Sequence, residues 1–384
     1  MNIFSNPQGW PEIPLVEVAT LKRGYDLPVS KREKGKVPIY AANGQNGTHS
    51  EEKKHGPGVV TGRSGTIGKV HYVEGGYWPL NTALYVTDFH GNDPKWVYYM
   101  LKHFRLERFV QGAGVPTLNR NLVHGKLIPT PPFEEQQRIA DILDKADGIR
   151  RKRQQAIDLA DEFLRATFLD MFGDPVSNPA NWPVKKLSDL SDKILNGTTP
   201  KGGSKIYVDQ GVKFLRSQNV WKNNIILDNL VYLDEATHKL MAESSLMYKD
   251  ILMTKTGRIN TENSSLGRAA LFLGVDGSAN INGHVYLIRL KKEILNEFVV
   301  FILTTREYRD YIRSVSVGGI DKRQINKGHL EDFPIIFPDV ELQEKFIKQI
   351  SKVNKIQVTA RSFKNKSNKI FESLSQKAFL GELT

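Results

Sequence analysis

The run from Gly62 to Val70, Gly-Arg-Ser-Gly-Thr-Ile-Gly-Lys-Val, is the stretch whose spacing comes nearest to a catalytic signature. A phosphate-binding loop reads Gly-x-x-x-x-Gly-Lys-Ser/Thr, so that backbone amides cradle phosphates and the last hydroxyl holds magnesium. Here the spacing is wrong, and Val70 stands where that hydroxyl belongs. No Gly-x-Gly-x-x-Gly follows a strand-like run, which removes the usual dinucleotide or methyl-donor pocket. The nine histidines are scattered without a His-Glu-x-x-His, no serine elbow occurs, and no compact Asp/Glu/Lys cluster marks a nuclease. With no cysteine, disulfides, thiolate metal sites and thiol nucleophiles are excluded together. The residues argue against an enzyme, a resident metal and a resident cofactor. What remains is charge: 54 Lys and Arg against 42 Asp and Glu, a net +12. Such an excess favours a polyanionic partner, nucleic acid first. An acidic membrane surface fits less well, because the positive charge is spread along the chain and not gathered on one amphipathic helix.

The elements that must position any such contacts are organised around two long helices. From Pro131 to Asp174, apolar or small residues at Ile139, Ile142, Ala146, Ile149, Ala156, Ala160, Phe163 and Thr167 follow the 3–4 alternation of a coiled-coil seam. Arg153 takes one seam position, and Leu143, Ile157, Leu164 and Phe168 widen the stripe. Pro131 and Pro132 set the entry, Glu134 and Glu135 suit the positive first turn, and Gly173-Asp174-Pro175 is a stop. A helix of about 38 residues is roughly 57 Å long. From Leu342 to Leu380 a weaker copy places Phe346, Val353, Ile356, Ala360, Phe363, Ile370 and Leu374 on a second seam, interrupted by Gln349, Ser367 and Lys377. Each stripe is too one-sided to stand alone, so the two are expected to pair.

The remaining chain falls into two similar halves. In the first, Trp10-Pro11 precedes short strand-like runs with Gly-rich turns, and Asn92 or Asp93 caps a helix that has Pro94 at its first position and Val97, Met100, Leu101 and Phe104 inward. In the second, Trp182-Pro183 echoes Trp10-Pro11, Thr256-Gly257-Arg258 echoes Ser64-Gly65, and 281–286 echoes 80–85. A helix from Glu297, with Phe301, Thr305, Tyr308 and Ile312 on one face, echoes that from Pro94. The second half carries about 35 extra residues, mostly before Asn282. A period of roughly 170–200 residues is a tandem duplication and not a solenoid, whose repeats are far shorter. The expected fold is α+β, with domains at 1–130 and 174–337 and long helices at 131–173 and 338–384. The helices should run antiparallel, giving a pseudo-twofold molecule with a mixed domain at each end. No window is apolar enough for a membrane span, and the first residues lack a signal peptide's apolar core, so a cytoplasmic protein is expected.

The chain resembles the DNA-specificity (S) subunit of type I restriction–modification systems over essentially its whole length. The resemblance is carried by Pro-Pro-Phe-Glu-Glu-Gln-Gln-Arg-Ile-Ala-Asp-Ile-Leu at 131–143, by Val-Glu-Leu-Gln-Glu-Lys-Phe-Ile at 340–347, by Ala-Phe-Leu-Gly-Glu-Leu at 378–383 and by the Trp-Pro openings. The second copy departs in having Leu342-Gln343 for Glu135-Gln136 and a more polar seam. The family implies a non-catalytic subunit whose two target-recognition domains each read half of a bipartite, asymmetric DNA site, with the helix pair fixing the gap. It implies two adenine-N6 methyltransferase (M) subunits, which carry S-adenosylmethionine, and an optional two further restriction (R) subunits, whose presence the sequence does not decide. Two rival readings are a specificity subunit whose partner fuses restriction and methylation, and a non-catalytic coiled-coil scaffold for RNA or protein.

Base readout in the major groove calls for Arg or Lys on guanine and Asn or Gln on adenine, displayed from loops or helix ends. In the first half the candidates are Asn43, Gln45, Asn46, His49, Arg63, Ser64, Asn119, Arg120 and Asn121. In the second they are Arg216, Gln218, Asn219, Lys255, Thr256, Arg258, Asn260, Lys322, Arg323 and Gln324. Lys69, Lys201 and Arg268 are expected at phosphates. Asn-Gly pairs are equally good turn residues, and Gly62, Gly65, Gly68 and Gly257 fit tight turns better than a close approach to phosphate.

Overall fold

The computed structural model describes residues 4, 6–111, 114–259, 261 and 263–383. Its contacts divide the chain into one unit of Met1–Ile157 with Thr359–Thr384 and another of Asp158–Val358. Each unit contains a four-stranded antiparallel sheet, a smaller three-stranded sheet and segments of both long helices.

In the first unit the larger sheet runs Thr20–Arg23, Ala83–Asp88, Gly58–Gly62, Val70–Val73. Gly58–Gly62 is buried along its whole length, as a central strand covered on both faces must be. The smaller sheet runs Gly44–His49, Val37–Ala41, Trp78–Pro79, and its last pair is parallel. The helix Pro94–Phe104 starts where expected: the Asp93 carboxylate accepts the Trp96 amide at 2.7 Å, and Pro94 needs no amide partner. Its inward face buries Trp96, Val97, Met100, Leu101 and Phe104. Entrance and exit are tied by pairing Glu12–Pro14 with Leu127–Pro129.

The second unit repeats this topology. Its larger sheet runs Ser191–Asn196, Val285–Leu290, Ile251–Thr254, Ala269–Leu271. Its smaller sheet runs Val231–Leu233, Val212–Leu215, Ala279–Ile281, again with the last pair parallel. Val184–Lys186 pairs with Pro334–Ile336 as the entrance tie. The extra residues form the hairpin Val220–Trp221 with Asn224–Ile225 and the helix Glu235–Leu240. Local devices recur as well. Asn6 brackets the backbone of Trp10 as Asn178 brackets Trp182, each through two side-chain hydrogen bonds. Gln136 donates to the Pro131 carbonyl at 2.9 Å, and Gln343 donates to Pro338 at 2.7 Å. The single helix expected from Glu297 is two, Asn296–Thr304 and Arg306–Val315. Thr305 divides them, because its hydroxyl accepts the Tyr308 amide as an N-cap while its own backbone is extended.

The long helices are Phe133–Phe172, 40 residues, and Val340–Leu380, 41 residues. Gly173 stops the first in a left-handed conformation (φ 76°) with its amide on Leu169. Segments of the two helices run antiparallel within each unit. In the first, Arg150 lies over the Phe371 ring at 4.7 Å, while Arg153 stacks on Phe363 and donates to its carbonyl at 2.6 Å. In the second, Phe168 and Phe346 meet at 5.3 Å and Gln357 donates to Asp161 at 2.7 Å.

The seam is rotated from the expected one. Ile139, Leu143, Ile157, Leu164, Phe168 and Phe172 are buried, whereas Ile149 and Phe163 are half-exposed and Ala156 is exposed. On the second helix Phe346, Ile350, Val353, Gln357, Ser367 and Phe371 are buried, and Ile356, Phe363 and Ile370 are not. The physical reason is that each helix covers a globular core as well as its partner, and Leu143, Phe168 and Phe346 serve those cores. An apolar stripe wider than a two-residue seam leaves its phase open in the sequence.

Candidate nucleic-acid interface

In the first unit the candidates gather where Gly62 ends the central strand. Arg63 and Ser64 both bind the Thr82 carbonyl through their amides, and Leu118 N–H closes onto Arg63 at 2.8 Å. Arg63 Nε donates to the Asn81 carbonyl at 2.9 Å. Asn43, Gln45 and Asn46 are exposed on the hairpin between Val37–Ala41 and Gly44–His49. Gly44 sits there at φ 120°, and a Cβ would touch the His71 ring. Arg32 holds the hairpin through the Asn46 carbonyl at 3.0 Å. Lys69, Asn119 and Asn121 are exposed, Asn119 accepting the Asn121 amide, and Arg120 is tied to the Leu21 carbonyl at 3.3 Å.

In the second unit the equivalent place is built the same way: Ile325 N–H closes onto Lys255 at 2.9 Å, so Lys255 occupies the position of Arg63. The strand Thr256–Arg258 pairs residue for residue with Lys322–Gln324 in reverse, which brings Thr256, Arg258, Lys322, Arg323 and Gln324 together on one small sheet that Lys255 immediately precedes. Arg258 pairs with Asp321 at 3.3 Å and Arg323 donates to the Arg313 carbonyl at 3.4 Å. Arg216 is half-buried and binds the Asn229 carbonyl at 2.6 Å, next to exposed Gln218. Lys201 is exposed on a separate loop. Asn260 lies outside the described residues.

Three expected contacts are corrected by their surroundings. His49 is 5% exposed, accepts the Glu33 amide through Nδ1 and packs edge-on to Trp78 at 5.2 Å, so it anchors the hairpin from inside. Asn219 is fully buried; its Oδ1 accepts the Arg216 amide and its Nδ2 donates to the Ile226 carbonyl at 2.9 Å, leaving no edge for a base. Arg268 is 8% exposed, donates to the Ser264 carbonyl at 3.0 Å and to Asn263, and lies 3.7 Å above Trp221. Its burial lowers its pKa from the usual guanidinium value. These bonds bind a loop, and a guanidinium so enclosed presents nothing to phosphate.

Other residues were not marked by the sequence reading. Lys53 lies over Tyr25 at 5.2 Å and Trp78 at 5.4 Å, and Lys54 over Tyr85 at 5.5 Å. A hydrogen bond from Tyr85 and the charges of Lys54, Lys22 and Lys53 draw the Tyr25 hydroxyl below its ordinary pKa, against burial. The Lys-Lys doublet was the available signal. Among the described residues no group of three or more His, Asp or Glu could hold a metal, and no helix is long and apolar enough to cross a membrane.

The family model for the type I restriction modification DNA specificity domain matches this chain twice, at residues 7–159 and 179–368. The chain belongs to this specificity family. Its two matched spans are the two repeats of the fold, and DNA specificity, not catalysis, is the family's part. Among relatives, the MjaVIII specificity subunit of Methanocaldococcus jannaschii is 22% identical over 305 residues, 76% of this chain and 70% of the relative. The EcoprrI specificity subunit of Escherichia coli is 28% identical over 141 residues, 35% of each chain. The crystal structure of a type I S subunit from M. genitalium shares the fold at a TM-score of 0.61, with 15% identity over 97% of this chain and 96% of that one.

Proposed function

We propose that this specificity subunit reads a bipartite, asymmetric DNA site, one part with each mixed domain, and holds two adenine-N6 methyltransferase subunits, and restriction subunits where they join, over that site. The observation that carries the reading is the duplicated edge. One backbone position carries Arg63 in the first unit and Lys255 in the second, each after the central strand and each braced by the same main-chain bond. Two copies of one scaffold with different side chains at the same edge suit two different half-sites. Base edges would meet Asn43, Gln45, Asn46, Arg63, Ser64 and 119–121 in one unit, and Arg216, Gln218, Lys255, Thr256, Arg258 and 322–324 in the other. Lys69 and Lys201 fit phosphates. The domains are then 1–130 and 174–337, with the helices at 131–173 and 338–384 setting the gap. Ile149 and Ile370 in the first unit, and Phe163 and Ile356 in the second, stay 50, 57, 54 and 64% exposed on the long helices, apolar surface suited to methyltransferase subunits. The complex would work in the cytoplasm, and its methyl donor would belong to the partners.

Co-expression with the methyltransferase of the same locus, followed by mapping of N6-methyladenine, tests this directly. A split asymmetric motif is the expected result. Methylation at a continuous motif, or binding that prefers RNA to duplex DNA in a salt titration, would overturn it.

A further inference from the structure

Arg63 is held at one end and open at the other. Its Nε is spent on the Asn81 carbonyl at 2.9 Å, and among the described residues neither Nη group has a protein partner. That open fork is the part of a guanidinium that meets O6 and N7 of guanine. The anchor is a tight turn in which the Ala83 amide closes onto Leu80 at 2.9 Å, with Asn81 near its tip. Asn81 is itself fixed, because its side-chain amide donates to the Asp26 carboxylate, which also pairs with Arg23 at 3.6 Å. Asp26 is 70% exposed, and its neighbour Tyr25 feels Lys54, Lys22 and Lys53. A carboxylate this exposed would repel the phosphates of a DNA partner, and what it does hold here is the Asn81 side chain, with Arg23 beside it.

The second unit shows what the first has added. The same turn recurs, with Val285 N–H on Asn282 at 3.0 Å, and Lys255 stands in Arg63's place. Asn282 there matches Leu80, so Asn81's place is taken by Gly283, which has no side chain for a carboxylate to hold. The chain of bonds from Asp26 through Asn81 to Arg63 therefore belongs to one unit only, as a device for telling two half-sites apart would.

Resting on the function proposed above, we infer that Asp26 and Asn81 are positioning residues for base recognition: Asp26 locks the Asn81 turn, whose carbonyl aims Arg63 at a guanine of the first half-site. The test uses the full chain co-expressed with its methyltransferase, read by competition binding with duplexes altered at one base pair at a time and by methylome sequencing. Arg63→Ala should lower discrimination at one base pair of one half-site by about 5- to 150-fold. Asp26→Ala should relax that same base pair by at least about 5-fold and leave the other half-site alone. In the Arg63→Ala background it should add almost nothing, since residues acting through one another are not additive. Asp26→Asn keeps an acceptor oxygen and should retain most discrimination, with thermal unfolding of all variants showing that the fold is kept. If the wild-type complex methylates a split site but Asp26→Ala leaves the first half-site unchanged, or adds its full effect to Arg63→Ala, the inference fails alone. If the wild-type complex methylates no split site, the functional reading fails and takes the inference with it.

Discussion

Replacing Phe346 by alanine should destabilise the second unit by about 3–5 kcal/mol, while replacing Phe363 should cost no more than about 1 kcal/mol. Both phenylalanines belong to the apolar set that the sequence places on the last helix, so the contrast decides the phase of the seam. Phe346 is fully buried and faces three rings: Phe301 at 4.8 Å, Phe168 at 5.3 Å and Phe172 at 5.7 Å. Deleting its ring removes the transfer term and opens a cavity that three stiff neighbours fill poorly. Each lost aromatic pair is worth about 0.5–1.5 kcal/mol, which puts the cost in the upper part of the range. Phe363 is 47% exposed and contributes mainly a stacking surface for Arg153 at 5.2 Å. With a urea dependence near 3 kcal/mol per molar, a loss of about 4 kcal/mol moves the midpoint by about 1.3 M. Urea unfolding followed by tryptophan fluorescence is the assay. Trp182 is a local reporter, since its ring packs on Phe172 at 6.4 Å and its Nε1 donates to the Phe172 carbonyl. A Phe346→Ala cost under about 1 kcal/mol, or an equal cost at Phe363, would refute the observed seam.

Further outcomes follow from other sites. Arg268→Ala should lower the unfolding midpoint of the second unit but leave the salt dependence of DNA binding unchanged, whereas Lys201→Ala should reduce that slope by about 1. Burial, reinforced by nearby Lys and Arg charges, holds the His71, His103 and His124 imidazoles below the ordinary 6.5. Their contribution is complete above that pH and is lost as pH falls through the depressed values, because the unfolded chain takes up protons the folded one refuses. Thermal unfolding of the first unit should therefore move down between pH 7.5 and 5.5, and His103→Gln should flatten the change. Gln343→Ala should cost about 1–3 kcal/mol by orphaning the Pro338 carbonyl, measured by urea unfolding. Inserting one heptad in both long helices should lengthen the gap between half-sites by about 10 Å, some three base pairs, and an unaltered methylation spacer would argue against that role for the helices.

Local chemistry that is complete within a few residues was legible in the sequence. The cap at Asp93, the stop at Gly173 and the doubled Trp-Pro openings each depend on neighbours along the chain, and each took the expected form. The duplication was legible because the same motifs recur in the same order along the chain, from Trp10-Pro11 and Trp182-Pro183 onward. Features set by distant partners were not. Whether Leu143 or Ile149 faces inward depends on what lies across the helix, and whether Arg268 meets solvent depends on Trp221 folding over it. Asn219 has the residue type of a base reader but sits where its own loop needs every one of its polar atoms. Asn81 and Asp26 are 55 residues apart, and no local pattern announces that they touch.

The first unit draws Phe371, Ala378 and Phe379 of its core from the far end of the chain, whereas the second is one unbroken stretch from Asp158 to Val358. During synthesis the middle can close while the front still waits for its last helix. At about 5–20 residues per second the stretch from Asp158 to the end of that helix takes tens of seconds, a window in which Tyr99 lacks the Phe371 ring that packs on it. An unfinished polypeptide of this kind is most vulnerable at its oldest part, and a chaperone would be needed there first.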